Sequence, residues 1–123
     1  MTAWTDEQLA GIGGSDELRI APRRRDGTLQ PSRIIWVVRH VDDLYVRSVN
    51  GADGHWFQGV QAIHSGHITA GGIEADVLLE DADHGLDDAI DEEYRRKYGR
   101  TSTAVARITS EQARATTMRL VRS

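Results

Sequence analysis

At 123 residues, 39% hydrophobic and 28% charged with two prolines, the chain has the length and composition of one globular domain over 1–123, able to bury a core without staples. It has no cysteine, which excludes a disulfide scaffold, a thiol nucleophile, a cysteine-ligated zinc and an iron–sulfur cluster. The longest apolar run, Ile34-Ile35-Trp36-Val37-Val38, is far short of a ~18-residue membrane span, and Asp6 and Glu7 stand where a signal peptide is basic; a soluble cytoplasmic protein without a membrane partner is expected.

The first element is a helix. Thr5 and Gln8 have capping-box spacing, Trp4 is placed to pack on Leu9, and Gly11 or Gly13-Gly14 ends it. Glu17–Ala21 predicts a short strand, and Arg23-Arg24-Arg25-Asp26-Gly27 a turn. Ser32 to His40 predicts a single strand, apolar on both faces, with Ile34, Trp36 and Val38 pointing into a barrel beside Leu44, Val46, Val77 and Leu79. Asp42-Asp43 turns the chain into a second strand, Leu44–Val49. Asn50–Gly54 is a loop opening a short helix on which Trp56, Gly59, Val60 and Ile63 share a face.

His67–Ala70 and Ile73–Glu80 read as a hairpin about Gly71-Gly72, with Ile73, Ala75, Val77 and Leu79 inward. Leu86, Ala89, Ile90, Tyr94 and Tyr98 mark an amphipathic helix closed by Gly99, acidic at its start and basic at its end, as the helix dipole favours. Thr103–Ile108 and Thr116–Val121 read as the last strands, flanking a short segment capped by Ser110. Six or seven strands and three helices give a mainly β (α+β) fold: a small antiparallel split barrel with helices packed on it.

Charge is polarised along the chain. Residues 74–93 carry ten acids and no base, whereas 19–47 and 95–123 are basic; the total is −4, and the bases are scattered through strands, which argues against a nucleic-acid partner. The acidic stretch lacks a calcium-loop pattern and reads as a solvated face. His55, His64 and His67 offer no recognised metal spacing, so no metal is expected. Gly-x-Ser-x-Gly, Walker A and Gly-x-Gly-x-x-Gly patterns are absent. Two features remain. An arginine-rich turn feeds the apolar strand, and Tyr45-Val46-Arg47-Ser48-Val49-Asn50-Gly51 runs into His55-Trp56-Phe57; both suit an anionic small molecule.

Those residues, with Trp56-Phe57-Gln58-Gly59-Val60, resemble the split barrel of the deazaflavin-dependent nitroreductase-like proteins, relatives of the flavin mononucleotide (FMN) oxidases of the pyridoxamine-phosphate type. More closely, Trp4-Thr5-Asp6-Glu7, Tyr94–Gly99 and Ala113–Val121 resemble the bacterial domain of unknown function 2255. The resemblance implies an oxidoreductase that binds a deazaflavin (coenzyme F-420) or FMN. Arg24, Arg25 and Arg33 would hold the cofactor's acidic tail, Ser48, Asn50 and Gly51 would line the phosphate or ring, and Trp56 would close the pocket. Tyr45, His55 and Tyr98 are the catalytic candidates. Asp26, Asn50 and Gln58-Gly59 depart from that family's pattern. The alternative is a cofactor-free barrel that binds a small molecule or catalyses a non-redox step. A homodimer is expected, covering the second apolar face of Ile35 and Val37, unless the 85–98 helix covers it.

Overall fold

A computed structural model describes residues 3–123. Helix α1 (Asp6–Gly13) precedes strands β1 (Leu18–Pro22), β2 (Arg33–Ile35), β3 (Val38–His40) and β4 (Asp43–Val46). Helix α2 (His55–Val60) leads to strands β5 (Ser65–Ala70) and β6 (Ile73–Asp81). Helices α3 (Asp87–Tyr98), α4 (Thr103–Ile108) and α5 (Glu111–Arg114) then lead to strand β7 (Met118–Arg122).

The seven strands form one antiparallel sheet in the order β2-β1-β5-β6-β7-β4-β3. Its two edge strands are consecutive in sequence, parted only by Trp36 and Val37. Residues 33–40 therefore pair with β1 through their first half and with β4 through their second, curling the sheet round on itself. Inside lie Leu18, Ile20, Leu44, Val46, Ile68, Val77, Leu79, Met118 and Leu120, joined by Leu9 and Ile12 of α1 and by Trp56 and Val60 of α2. The ladder brings Leu79, Leu120 and Leu44 side by side, an apolar layer crossing three strands.

The capping box forms as expected: Thr5 Oγ1 accepts from the Gln8 N–H and Gln8 Oε1 from the Thr5 N–H. Trp4 joins Leu9 in the core and donates its indole N–H to the Leu120 carbonyl at 2.9 Å. The β5–β6 hairpin and α3, closed by Gly99 at φ 105°, also form where the sequence predicts.

Three expectations are corrected. First, the single strand 32–40 is two, and its inward face is the opposite one. Val37 lies in the interior with Ile35 packed against it, Ile34 is 48% exposed, and Val38 packs outside with Tyr45, Ile90, Tyr94 and Ile108. Alternation cannot choose a phase when both faces are apolar. The outward side chain of Val38 is covered within the chain, because α3 packs on β3, whereas Ile34 is left open. Second, Thr103–Ile108 is a helix. Ser102 caps it through the Val105 N–H, and Val105 and Ile108, three apart, are its buried residues. With α5 it raises the count from the expected three helices to five among the described residues.

Third, the acidic stretch is not simply solvated. Eight of its ten acids pair with bases elsewhere: Glu74 with His67, Asp76 with Arg23, Glu80 with Arg119, Asp87 and Asp91 with Arg47, Asp88 with Arg114, Glu92 with Arg100 and Glu93 with Arg96. Most pairs are exposed and contribute little each. Together these acids take up seven of the chain's fifteen lysines and arginines, Arg33 and Arg107 not among them. Among the described residues, no helix is long and apolar enough to cross a membrane, and no group of three or more His, Asp and Glu side chains could hold a metal.

Candidate functional site

The break between β2 and β3 creates a cleft. Continued by two residues, the β3–β4 ladder would set Trp36 opposite Arg47, and by four, Ile34 opposite Val49. The chain leaves that ladder at Val37 to join β1, so residues 33–36 and 47–50 draw apart. A cavity of about 510 Å³ opens between them, with α4 and the start of α2 completing its walls. That volume falls in the ~300–1,000 Å³ range of small-molecule sites.

The split costs Val37 its ladder partners, and the end of α3 replaces them. Lys97 Nζ donates to the Val37 carbonyl at 2.6 Å and to that of Ser15 at 2.6 Å. The Tyr98 hydroxyl accepts from the Val37 N–H at 3.4 Å and donates to the Asp16 carbonyl at 2.8 Å. Its ring stacks on Trp36, centroids 3.9 Å apart and planes within 4°. Burial pushes Tyr98 up to about 12 and pulls Lys97 down to about 8. Tyr98 is thus a neutral phenol that fixes Trp36, one wall of the cleft, from behind.

Arg47 also lines the cleft, but most of its donors serve the structure. It is 1% exposed; its Nη1 donates to Asp91 Oδ1 at 2.5 Å and to the Ile108 carbonyl at 3.1 Å. Its Nε donates to Thr117 Oγ1 at 2.9 Å and its Nη2 to the Asp87 carbonyl at 3.1 Å. The guanidinium also sits 5.4 Å from the Tyr94 ring centroid. One side chain thereby ties β4 to α3, α4 and the start of β7.

The predicted residues divide into two groups. Arg33, Ser48, Asn50, His55 and Trp56 line the cleft together. Arg24, Arg25, Gly51, Tyr45 and Tyr98 are not part of its lining. Arg24 donates to the Leu29 carbonyl at 2.9 Å, within its own turn, and Arg25 is exposed. Asp26 Oδ1 accepts from the Thr28 hydroxyl at 2.6 Å and the Thr28 N–H at 2.9 Å; those bonds hold its carboxyl below the usual range and occupy it in the turn. Tyr45 is buried beneath α3, where desolvation and then Asp43 push its hydroxyl up. Gly51, at φ 64°, shapes the loop: its N–H donates to the Ser48 carbonyl at 3.0 Å, and Gln112 fills the space a side chain would need. The Ser48 N–H donates to Thr116 Oγ1 at 2.9 Å, which sets its hydroxyl against Gly54, where any side chain would collide with it.

Among the lining residues that sequence reasoning did not place at the site are Trp36, turned outward by the reversed phase, and Arg107, on the helix read as a strand. Ser102 was the available signal for that helix. Arg33 and Arg107 have no carboxylate within 4.0 Å among the described residues, unlike Arg47. Arg33 Nη2 approaches His55 Nδ1 at 3.2 Å, and Arg107 Nη2 donates to Asn50 Oδ1 at 3.4 Å. A guanidinium only donates, so His55 accepts at Nδ1 and carries its proton on Nε2. No acid lines the cavity. Two free cations and the indoles of Trp36 and Trp56 suit a planar, anionic molecule.

An antiparallel sheet curled on itself and split at one seam is a split β-barrel. Within that class, the chain belongs to DUF2255, described as an uncharacterized protein conserved in bacteria, whose pattern matches residues 8–120. Among solved structures it is similar to a candidate pyridoxamine 5'-phosphate oxidase from Listeria innocua, 14% identical, with TM-score 0.66 over 96% of this chain and 92% of that one. It is also similar to an F420 reductase, 15% identical, TM-score 0.61, covering 97% of this chain and 94% of that one. A FAD-binding protein from Mesorhizobium loti is 12% identical, TM-score 0.57, over 99% of this chain and 92% of that one. At these identities the likeness is one of fold. No curated protein sequence matches the chain.

Proposed function

We propose that the seam cleft binds a flavin-type cofactor, FMN or a deazaflavin, and that the protein is an oxidoreductase. One observation carries this: an acid-free cavity lined by two tryptophans and by two arginines that, among the described residues, have no carboxylate partner. Support also comes from the structural neighbours, described as an F420 reductase, a candidate pyridoxamine 5'-phosphate oxidase and a FAD-binding protein. In this proposal the anionic tail falls to Arg33 and Arg107, while Arg24 bonds within its own turn and Arg25 is exposed. Trp36 and Trp56 flank the ring, the Ser48 hydroxyl and Asn50 amide bond its polar edge, and Gly51 keeps the loop close. Bound there, the cofactor would supply hydride or electron transfer; the chain binds it, orients it and excludes water.

Absorption and fluorescence spectra of the purified protein, before and after adding FMN and then the deazaflavin, test this. A saturable change with one of them, quenched by the two indoles, is expected. No change with either favours the cofactor-free reading, which one contact already supports. Arg107 and Asn50 meet at 3.4 Å, occupying with each other groups that a cofactor's tail would use. Self-pairing of two copies belongs to the same proposal, through Ile34, 48% exposed, and Val49, 37% exposed, on the cleft wall. Light scattering at the mass of one 13.7 kDa chain would remove the dimer and leave the cleft.

A further inference from the structure

A second cavity of about 360 Å³ adjoins the first, and the two share Arg33, His55 and Trp56. We propose that it is a separate binding site for a small hydroxy- or amino-carboxylic acid. Its role as the seat of the compound oxidised or reduced rests on the cofactor reading; the binding site itself does not.

The lining dictates the ligand class. Arg33 uses only Nη2 within the protein, on His55, so the rest of its donor fork is free. His55 accepts from Arg33 at Nδ1 and therefore presents an Nε2–H donor of its own. No acid lines this cavity either. An uncompensated guanidinium beside an imidazole N–H recognises a carboxylate.

The other polar groups ask for the opposite. Gln30 Nε2 lies 3.5 Å from the Gly59 carbonyl, and Gln58 Nε2 donates to the Ala52 carbonyl at 3.3 Å. With both amide nitrogens turned to the backbone, both Oε1 atoms remain acceptors with no donor among the described residues. A bare carboxylate would leave them unmet, whereas a hydroxyl or amino group on the same molecule would donate to them. Pro22 and Pro31 supply apolar contact for the carbon frame, beside the Trp56 indole shared with the first cavity. The glycine at 59 keeps the pocket open, since a Cβ there would come within 3.1 Å of Gln30 Oε1.

The test uses 4-hydroxybenzoate, benzoate and 4-hydroxybenzamide against the whole ¹⁵N-labelled chain, followed by NMR. With 4-hydroxybenzoate, shifts centred on Gln30, Gln58 and Gly59 are expected. Benzoate, lacking the hydroxyl, should bind about fivefold more weakly, and the uncharged amide at least tenfold more weakly. Gln58→Met, on an exposed position, should reduce 4-hydroxybenzoate affinity to that of benzoate. Arg25→Ala, at an exposed position outside both cavities, should leave it unchanged. Binding that survives with no flavin bound under any condition would sustain this site while the cofactor reading fails. No shift with 4-hydroxybenzoate, equal affinity for all three compounds, or shifts that Gln58→Met leaves intact would overturn it.

Discussion

Arg47 and the pair Arg33 and Arg107 all border the same cleft, yet they do opposite work. Arg47 is 1% exposed, its charge is met by an aspartate, and four of its five N–H donors go to that aspartate, a threonine hydroxyl and two carbonyls beside a tyrosine ring. Arg33 and Arg107 each meet one neutral side chain and otherwise stand free. The contrast shows that an arginine in a cavity wall is a ligand contact only when its charge is left uncompensated. The acids of 74–93 take up Arg47 and six other arginines but neither Arg33 nor Arg107.

The sharpest way to break this contrast is Arg47→Met. Removing one partner of a buried ion pair leaves Asp91 uncompensated and costs about 3–5 kcal/mol, which urea unfolding would read as a large loss of stability. Arg33→Ala and Arg107→Ala, at exposed positions, should each stay within about 0.5 kcal/mol of the parent. A stability loss in all three would erase the distinction.

Next in size is Tyr98→Phe, which keeps the Trp36 stack and removes the hydroxyl that replaces Val37's strand partner. About 1 kcal/mol is expected, with faster amide exchange at Val37. Unchanged exchange there would mean that the seam does not depend on α3. A smaller effect belongs to Lys97. Burial holds its folded pKa near 8, below its ordinary value, so between those two values the unfolded chain binds more protons. The Lys97 contribution to stability therefore rises as pH climbs from about 8 toward that ordinary value. Comparing urea midpoints of parent and Lys97→Met at pH 7 and 10 should show the parent gaining relative to the variant; a constant difference would place Lys97 in ordinary solvent. Smallest of all, Arg24→Ala/Arg25→Ala should leave flavin titrations within about twofold, because Arg24 serves its own turn and Arg25 is exposed. A tenfold loss would return the anion to the 23–28 turn.

What the sequence shows well is local. The Thr5–Gln8 capping box, the Gly71-Gly72 hairpin and the Gly99 helix end each depend on a few neighbouring residues and sit where expected. Of the residues singled out, Arg33, Ser48, Asn50, His55 and Trp56 line one cleft, whereas Arg24, Arg25, Gly51, Tyr45 and Tyr98 do not. The seam is not legible in the sequence. That residues 33–40 change partners at Val37 is a property of the curled sheet, and Ile34–Val38 are apolar on both faces whichever way they turn. The same blindness hid Trp36 as a wall. Arg107 was lost because Thr103–Ile108 fits both periodicities until Ser102 is read as a cap.

Calorimetric titration of FMN and the deazaflavin into the parent chain and into Arg33→Ala/Arg107→Ala tests the central claim most directly. At about 1.5–3 kcal/mol per charge-assisted contact, the double variant should bind the accepted cofactor roughly 10²–10⁴-fold more weakly while remaining folded. The parent's affinity should fall as salt rises. Equal affinity in the two proteins, or no heat from either flavin on the parent, would contradict the account.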